Sequence, residues 1–381
     1  MLPAQLLATR SLALARSHRR EGAPVTIQDP ERVGRGIDTD PLEMISVVGE
    51  STIEQAEVVG LSQGQIVRRR FVRHKGAMIG LIVLLLIVVL AVTSVGLGPI
   101  PGWWKWKYTD IVPSESGSGE PTMSLRPSWL GGAGIQIGDH PFGLDNERGK
   151  DMFAMTMRGV QTSFAVILVL GILSTTIGVV VGALSGYYGK WVDSALMRFT
   201  DVIIIIPILV ITAVAGFALG LSGIWPVALA LGLFLWTTLA RLVRAEFLAL
   251  REREFVDAAR VANAPDRRII FKHILPNTVG TIVVATTLLM GAGILTETAL
   301  GFLGFGVQPP QVSLGTLVSD YQSAYQTRPW LFLWPGIFVV AIVLCLQFIG
   351  DGLRDAFDPR QKRIPKRKEL EREEAKFAGS T

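Results

Sequence analysis

Six long stretches of this chain carry almost no charge, and they decide what it can fold into. A run of about 20 apolar residues matches a hydrocarbon core roughly 30 Å thick at the helical rise of 1.5 Å per residue. The apolar residues come in long runs, not at the spacing of one helix face or in the alternation of a half-buried strand. Nearly half of the chain is hydrophobic, 49%. Arranged in runs, that composition describes a multi-span membrane protein rather than a soluble domain around one large core. The spans are expected at roughly 76–98, 158–187, 199–221, 224–243, 278–304 and 332–350.

The net charge is +5. Its basic residues cluster beside the apolar runs, which is the pattern of membrane orientation. No basic–aromatic recognition module accompanies them, so nucleic acid is not an expected partner. Arg68, Arg69, Arg70, Arg73 and Lys75 stand just before the first span, and Arg354, Arg360, Lys362, Arg363, Lys366, Arg367 and Lys368 follow the last. Loop 305–331 has only Arg328. Six spans then place both termini in the cytoplasm, with 1–75 an N-terminal tail, 76–350 the membrane domain and 351–381 a C-terminal tail. Residues 1–20 form either a basic amphipathic helix on the membrane surface or a mobile tail. No cleavable signal peptide is visible, so the first span is expected to stay in place.

Segment 99–150 is a large exterior loop, opening with Trp103, Trp104, Trp106 and Tyr108 as an interfacial aromatic belt does. In the second span Gly178, Gly182 and Gly186 share one helix face and invite close approach of another helix. Pro207 interrupts the third span, where it removes a backbone donor and kinks a helix.

Little in the chain points to catalysis. His18, His74, His140 and His273 are scattered and make no metal spacing. Cys345 is the single cysteine, inside an apolar run, and reads as a packed thiol. No G-x-x-x-x-G-K-[ST] loop is present, so the chain is not expected to hydrolyse ATP.

The informative segment is the charged stretch 244–277. Glu254 to Ala262 reads as a short helix ended by Asn263, a residue that tolerates the left-handed conformation. Pro265 and Asp266 suit the first turn of a second helix, with Ile269, Ile270 and Ile274 as its apolar face and Leu275-Pro276 as its end. Two short helices at an angle make either a knob for a partner's socket or an amphipathic surface lying on lipid.

Glu297 is an ionisable residue inside the fifth span, toward its outer end, and such residues are costly in a membrane. It is read either as part of a transport pathway or as a hydrogen bond to a partner membrane subunit. Arg198 and Asp201, and likewise Asp351 and Arg354, are spaced to pair across one helical turn.

DAARVANAPDRRIIFKHILPN, 257–277, resembles the EAA loop of ABC-importer permeases, whose pattern is E-A-A, a glycine four residues on, then L-P. Ala258, Ala259, Leu275 and Pro276 match it; Asp257 replaces glutamate, Asn263 replaces glycine, and His273 stands where isoleucine is usual. HPFGLDNERGKDMF at 140–153, RFTDVIIIIP at 198–207, LGFLGFGVQPP at 300–310 and GDGLRDAFDPR at 350–360 are similar to further segments of the peptide and nickel permeases. The resemblance covers about 68–360. It implies an all-α type I importer domain in which 257–276 couples to an ATPase. It also implies a second homologous permease, two ATP-binding subunits that carry ATP and Mg, and an external peptide-binding protein. The implied cargo is a di- or oligopeptide, with nickel, haem or glutathione as the alternative. Outside that class, an ATP-independent channel or scaffold remains.

Overall fold

A computed structural model describes residues 63–112, 119–124, 136–145, 149–218 and 223–358. The amphipathic stretch 1–20, the basic tail from 359 and parts of the exterior loop lie outside these residues. Inside a bilayer every backbone polar group needs an internal partner, so apolar runs of this length become helices.

Helix α1, Gln63–Arg73, precedes the first span, α2, Lys75–Val95. Three two-residue antiparallel pairings follow: β1, Gly96–Leu97, with β2, Ile100–Pro101; β3, Met123–Ser124, with β4, Gln136–Ile137; and β5, Leu144–Asp145, with β6, Lys150–Asp151. Helix α3, Met152–Tyr188, is the longest at 37 residues. The third span is α4, Lys190–Ile205, and α5, Ile208–Ala218. The fourth is α6, Ile224–Phe234, and α7, Trp236–Leu250. Helix α8, Glu254–Val261, leads to the single turn α9, Asp266–Arg268, and a π-helix, Ile269–Ile274. Then come α10, Leu275–Phe302, the short α11, Leu314–Asp320, and α12, Pro329–Phe357.

Five described segments are long and apolar enough to cross a membrane: Lys75–Val95, Met152–Tyr188, Ile224–Leu250, Asp266–Phe302 and Pro329–Phe357. The broken pair α4 and α5 is the sixth span. The break falls where expected but is complete rather than a kink. Pro207 has no N–H, and its ring would meet the carbonyl of Ile203. Ile206, just before the proline, turns extended with φ −83° and ψ 122°, and its own N–H takes the Ile203 carbonyl instead.

Helix α3 is the hub and packs against α2, α4, α6, α7, α10, α11 and α12. The glycine face finds its partner in α7. A Cβ at Gly182 would stand 2.5 Å from the Ala240 carbonyl, and one at Gly186 would stand 2.6 Å from Phe247 Cβ. At Gly178 it would lie 3.1 Å from Leu239 and the Trp236 carbonyl. Only glycine lets the two backbones come this close.

Helix α3 starts at Met152, earlier than the expected span, because Asp151 caps it. Asp151 Oδ1 accepts from Ala154 N at 2.8 Å and from Trp104 Nε1 at 3.1 Å, and His140 Nδ1 donates to Oδ2 at 2.7 Å. Around this cap Phe142, Phe153 and Trp104 pack together, with Phe142 stacked on Trp334 at 4.0 Å. At the other end of the molecule, Arg70 Nη1 donates to the Asp358 carbonyl and ties α1 to the end of α12.

Candidate coupling site at the cytoplasmic end

The segment between α7 and α10 forms a compact knob. Helix α8 begins with Glu254 and Asp257 near its positive end and finishes with Arg260 near its negative end. Asp257 pairs with Arg260 at 2.9 Å along its surface. Asn263 has φ 55°, the left-handed conformation. Its N–H bonds the Arg260 carbonyl, and the N–H of Ala264 bonds the Ala259 carbonyl. This is a Schellman ending with asparagine in the position usually held by glycine. Ala259 and Ala264, on either side of the turn, both enter the same apolar cluster.

That cluster roots the knob. Val256, Ala259, Ile269, Ile270 and Ile274 pack with Tyr187 of α3 and with Val243 and Phe247 of α7. Polar ties add to it. Tyr187 donates its hydroxyl to Asp266 Oδ1 at 2.7 Å, and Arg251 Nη1 donates to the carbonyls of Gly186 and Tyr187 at 3.2 and 3.3 Å. Nearby, Asp193 of α4 accepts from Ser185 and from Arg244, Nη2 of the latter at 2.6 Å.

The knob's outer surface is of another kind. Asp257, Ala258, Ala262 and Asn263 are exposed. So are three larger apolar side chains: Val261 at 89%, Phe271 at 61% and Phe255 at 40%.

Leu275-Pro276 does not end the second helix as expected. Helix α9, the π-helix and α10 form one continuous rod from Asp266 to Phe302. Pro276 lacks a donor, and its ring would crowd the carbonyl of Lys272. The π turn just before it widens the spacing, with Leu275 N bonding the Ile270 carbonyl five residues back. The proline is absorbed, and the knob is joined directly to the fifth span.

Glu297 also differs from expectation. Its side chain is fully enclosed, 0% exposed, and Oε2 accepts from Ser163 Oγ of α3 at 3.0 Å. Ser163 Oγ in turn accepts from Leu314 N at 3.1 Å. The carboxylate therefore ties α10 to α3 and, through Ser163, to α11 within this chain, while Oε1 is enclosed without a hydrogen-bond partner among the described residues. Two expected ion pairs are likewise replaced. Asp201 pairs with Arg241 at 2.6 Å rather than with Arg198, which binds α4 to α7. No ion pair joins Asp351 to Arg354; the carboxylate engaged there is Asp355, 3.5 Å from His74 Nε2.

Residues 178–363 match the family described as the binding-protein-dependent transport system inner membrane component, and 62–114 match the N-terminal transmembrane domain of oligopeptide transport permease C. An oligopeptide transport system permease protein, OppC, of Mycobacterium tuberculosis is 36% identical over 308 residues, covering 80% of this chain and 97% of the relative. The chain belongs to this family of inner-membrane permeases. The permease is also 37% identical over 311 residues to a putative peptide permease of Brucella suis, covering 81% of this chain and 95% of that one. OppC of Haemophilus influenzae is 36% identical over 310 residues, 81% and 93% covered. A solved methionine ABC transporter, MetNI, facing inward, overlaps 54% of the permease and 98% of its own chain, with TM-score 0.46 and 21% identity. By its family and its relatives, this chain is a multi-pass permease subunit of an ABC importer, a binding-protein-dependent transport system of the inner membrane.

The reading of the permease from its sequence missed Tyr187, Arg251 and the Asp193–Arg244 tie. Their partners are 79, 64 and 51 positions distant, and no local pattern announces a pair at such range. It also missed α11, although Ser313 and Thr316 make a capping box that stood in the sequence as a start signal.

Proposed function

We propose that this permease carries di- or oligopeptides through a pathway formed with a second, homologous permease. Substrate arrives from an external binding protein, and two ATP-binding subunits on the cytoplasmic side hold ATP and Mg and drive the cycle. The knob, with Asp257, Ala258, Ala259, Asn263, Ile270, Leu275 and Pro276, is where the permease meets an ATP-binding subunit. Peptide as cargo is supported by the names of the relatives, which share over four-fifths of this length.

One observation carries the coupling role. The knob is held rigid by a buried root, yet its tip exposes Val261, Ala258 and Ala262, and it continues without interruption into a membrane-crossing helix. A small apolar tip on a rigid lever suits a partner's socket. A ligand moves such an equilibrium only by binding its two states differently, and ATP-dependent reshaping of the socket supplies that difference.

The test is reconstitution of the whole importer in vesicles with labelled peptide. Replacing Val261 by Asp should strip the ATP-binding subunits from the complex and stop peptide uptake. Uptake that persists, or uptake of nickel, haem or glutathione in place of peptide, would contradict the corresponding half of the proposal.

A further inference from the structure

Tyr187 does something its packing does not require. It is the next-to-last residue of α3, 9% exposed, and its ring fills the apolar root of the knob. Phenylalanine would fill the same space. The hydroxyl is needed for one contact, the 2.7 Å hydrogen bond to Asp266 Oδ1. Asp266 opens α9, immediately after Pro265 and directly before the π-helix. The phenol therefore grips the knob at the residue where the rod into the fifth span begins.

We infer that the Tyr187 hydroxyl is a positioning group for energy coupling. It makes α3 move with the knob, so that displacement of the knob is delivered to two spans and not to α10 alone. The inference rests on the proposed docking of the knob to an ATP-binding subunit. The surrounding ties favour it. Arg251 holds the last carbonyls of α3 from the start of the knob, and Ser185, two residues before Tyr187, donates to Asp193 of α4. A pull on the end of α3 is thereby passed to the broken third span as well. Without the hydroxyl, the knob can shift while α3 stays behind, and ATP is then hydrolysed with less substrate moved.

The experiment uses the complete importer in vesicles and reads peptide transported per ATP hydrolysed, alongside the thermal unfolding midpoint and recovery of the ATP-binding subunits. Tyr187→Phe should lower peptide per ATP about five- to ten-fold, the scale set by losing one hydrogen bond of ordinary net strength. The midpoint and subunit recovery should change little. Asp266→Asn keeps an acceptor oxygen and should keep coupling; Asp266→Ala should behave like Tyr187→Phe, and the double variant should be no worse than either single. Unchanged peptide per ATP in Tyr187→Phe would overturn the inference. So would losses that simply track a lower midpoint, with Asp266→Asn as impaired as Asp266→Ala. Failure of the docking proposal looks different: Val261→Asp would then retain its ATP-binding subunits.

Discussion

The two ends of α3 solve opposite problems. At the outer end, the buried carboxylates take their donors from within the chain. Asp151 and Glu297 are both fully buried; Asp151 is bonded through both oxygens and Glu297 through Oε2, while Glu297 Oε1 has no hydrogen-bond partner among the described residues. At the cytoplasmic end, the root is equally dense, but charges pair along the surface and apolar side chains stand in the open. The outer exposed residues Leu97, Ile100 and Trp103 sit beside the end of the first span, where an interfacial belt belongs. Nothing comparable accounts for Val261, 89% exposed at the end of α8 and outside the membrane-crossing helices expected from the sequence. Burying a carboxylate is costly unless it is paired, and at Asp151 this chain supplies every partner itself. An exposed apolar tip on a rigid base marks an end finished by something else.

Mutations at the two ends should therefore act differently. Asp151→Ala removes a helix cap and abandons His140 and Trp104 at once. It should cost about 2–4 kcal/mol, seen as the largest fall in the unfolding midpoint of the detergent-purified permease. Gly182→Ala forces a Cβ against the Ala240 carbonyl and should cost about 1–3 kcal/mol by the same measurement. Glu297→Gln keeps the shape of an enclosed group and should lower stability by about 1 kcal/mol. In transport assays it should leave the relative uptake of charged and neutral peptides unchanged; a selective loss of one class would restore Glu297 to the pathway. Val261→Asp should move the midpoint of the isolated permease by no more than about 0.5 kcal/mol, since it touches only the surface.

What the sequence revealed depended on how far a signal reaches. Asn263 announced its left-handed turn because the reason lies in its own side chain. The glycines of α3 announced a close contact but not that α7 makes it. Glu297 announced the cost of its position, while its partner Ser163 stands 134 residues away. Pro276 was misread for a local reason: a π turn relaxes the rule that proline ends a helix, and nothing in the residue pattern marks it. The knob's surface was legible as a motif, but the hold of Tyr187 on Asp266 was not.

In the proposed importer, the knob's tip lies in a socket of an ATP-binding subunit. The single native cysteine, Cys345, is buried, so a cysteine introduced at Val261 can be addressed alone. In the assembled importer, Val261→Cys treated with a short thiol cross-linker should join the permease to an ATP-binding subunit, with a yield that changes when ATP is added. The same cysteine should be shielded from a hydrophilic maleimide only when that subunit is present. Labelling at the same rate with and without the ATP-binding subunits, and no cross-linked product, would contradict the account.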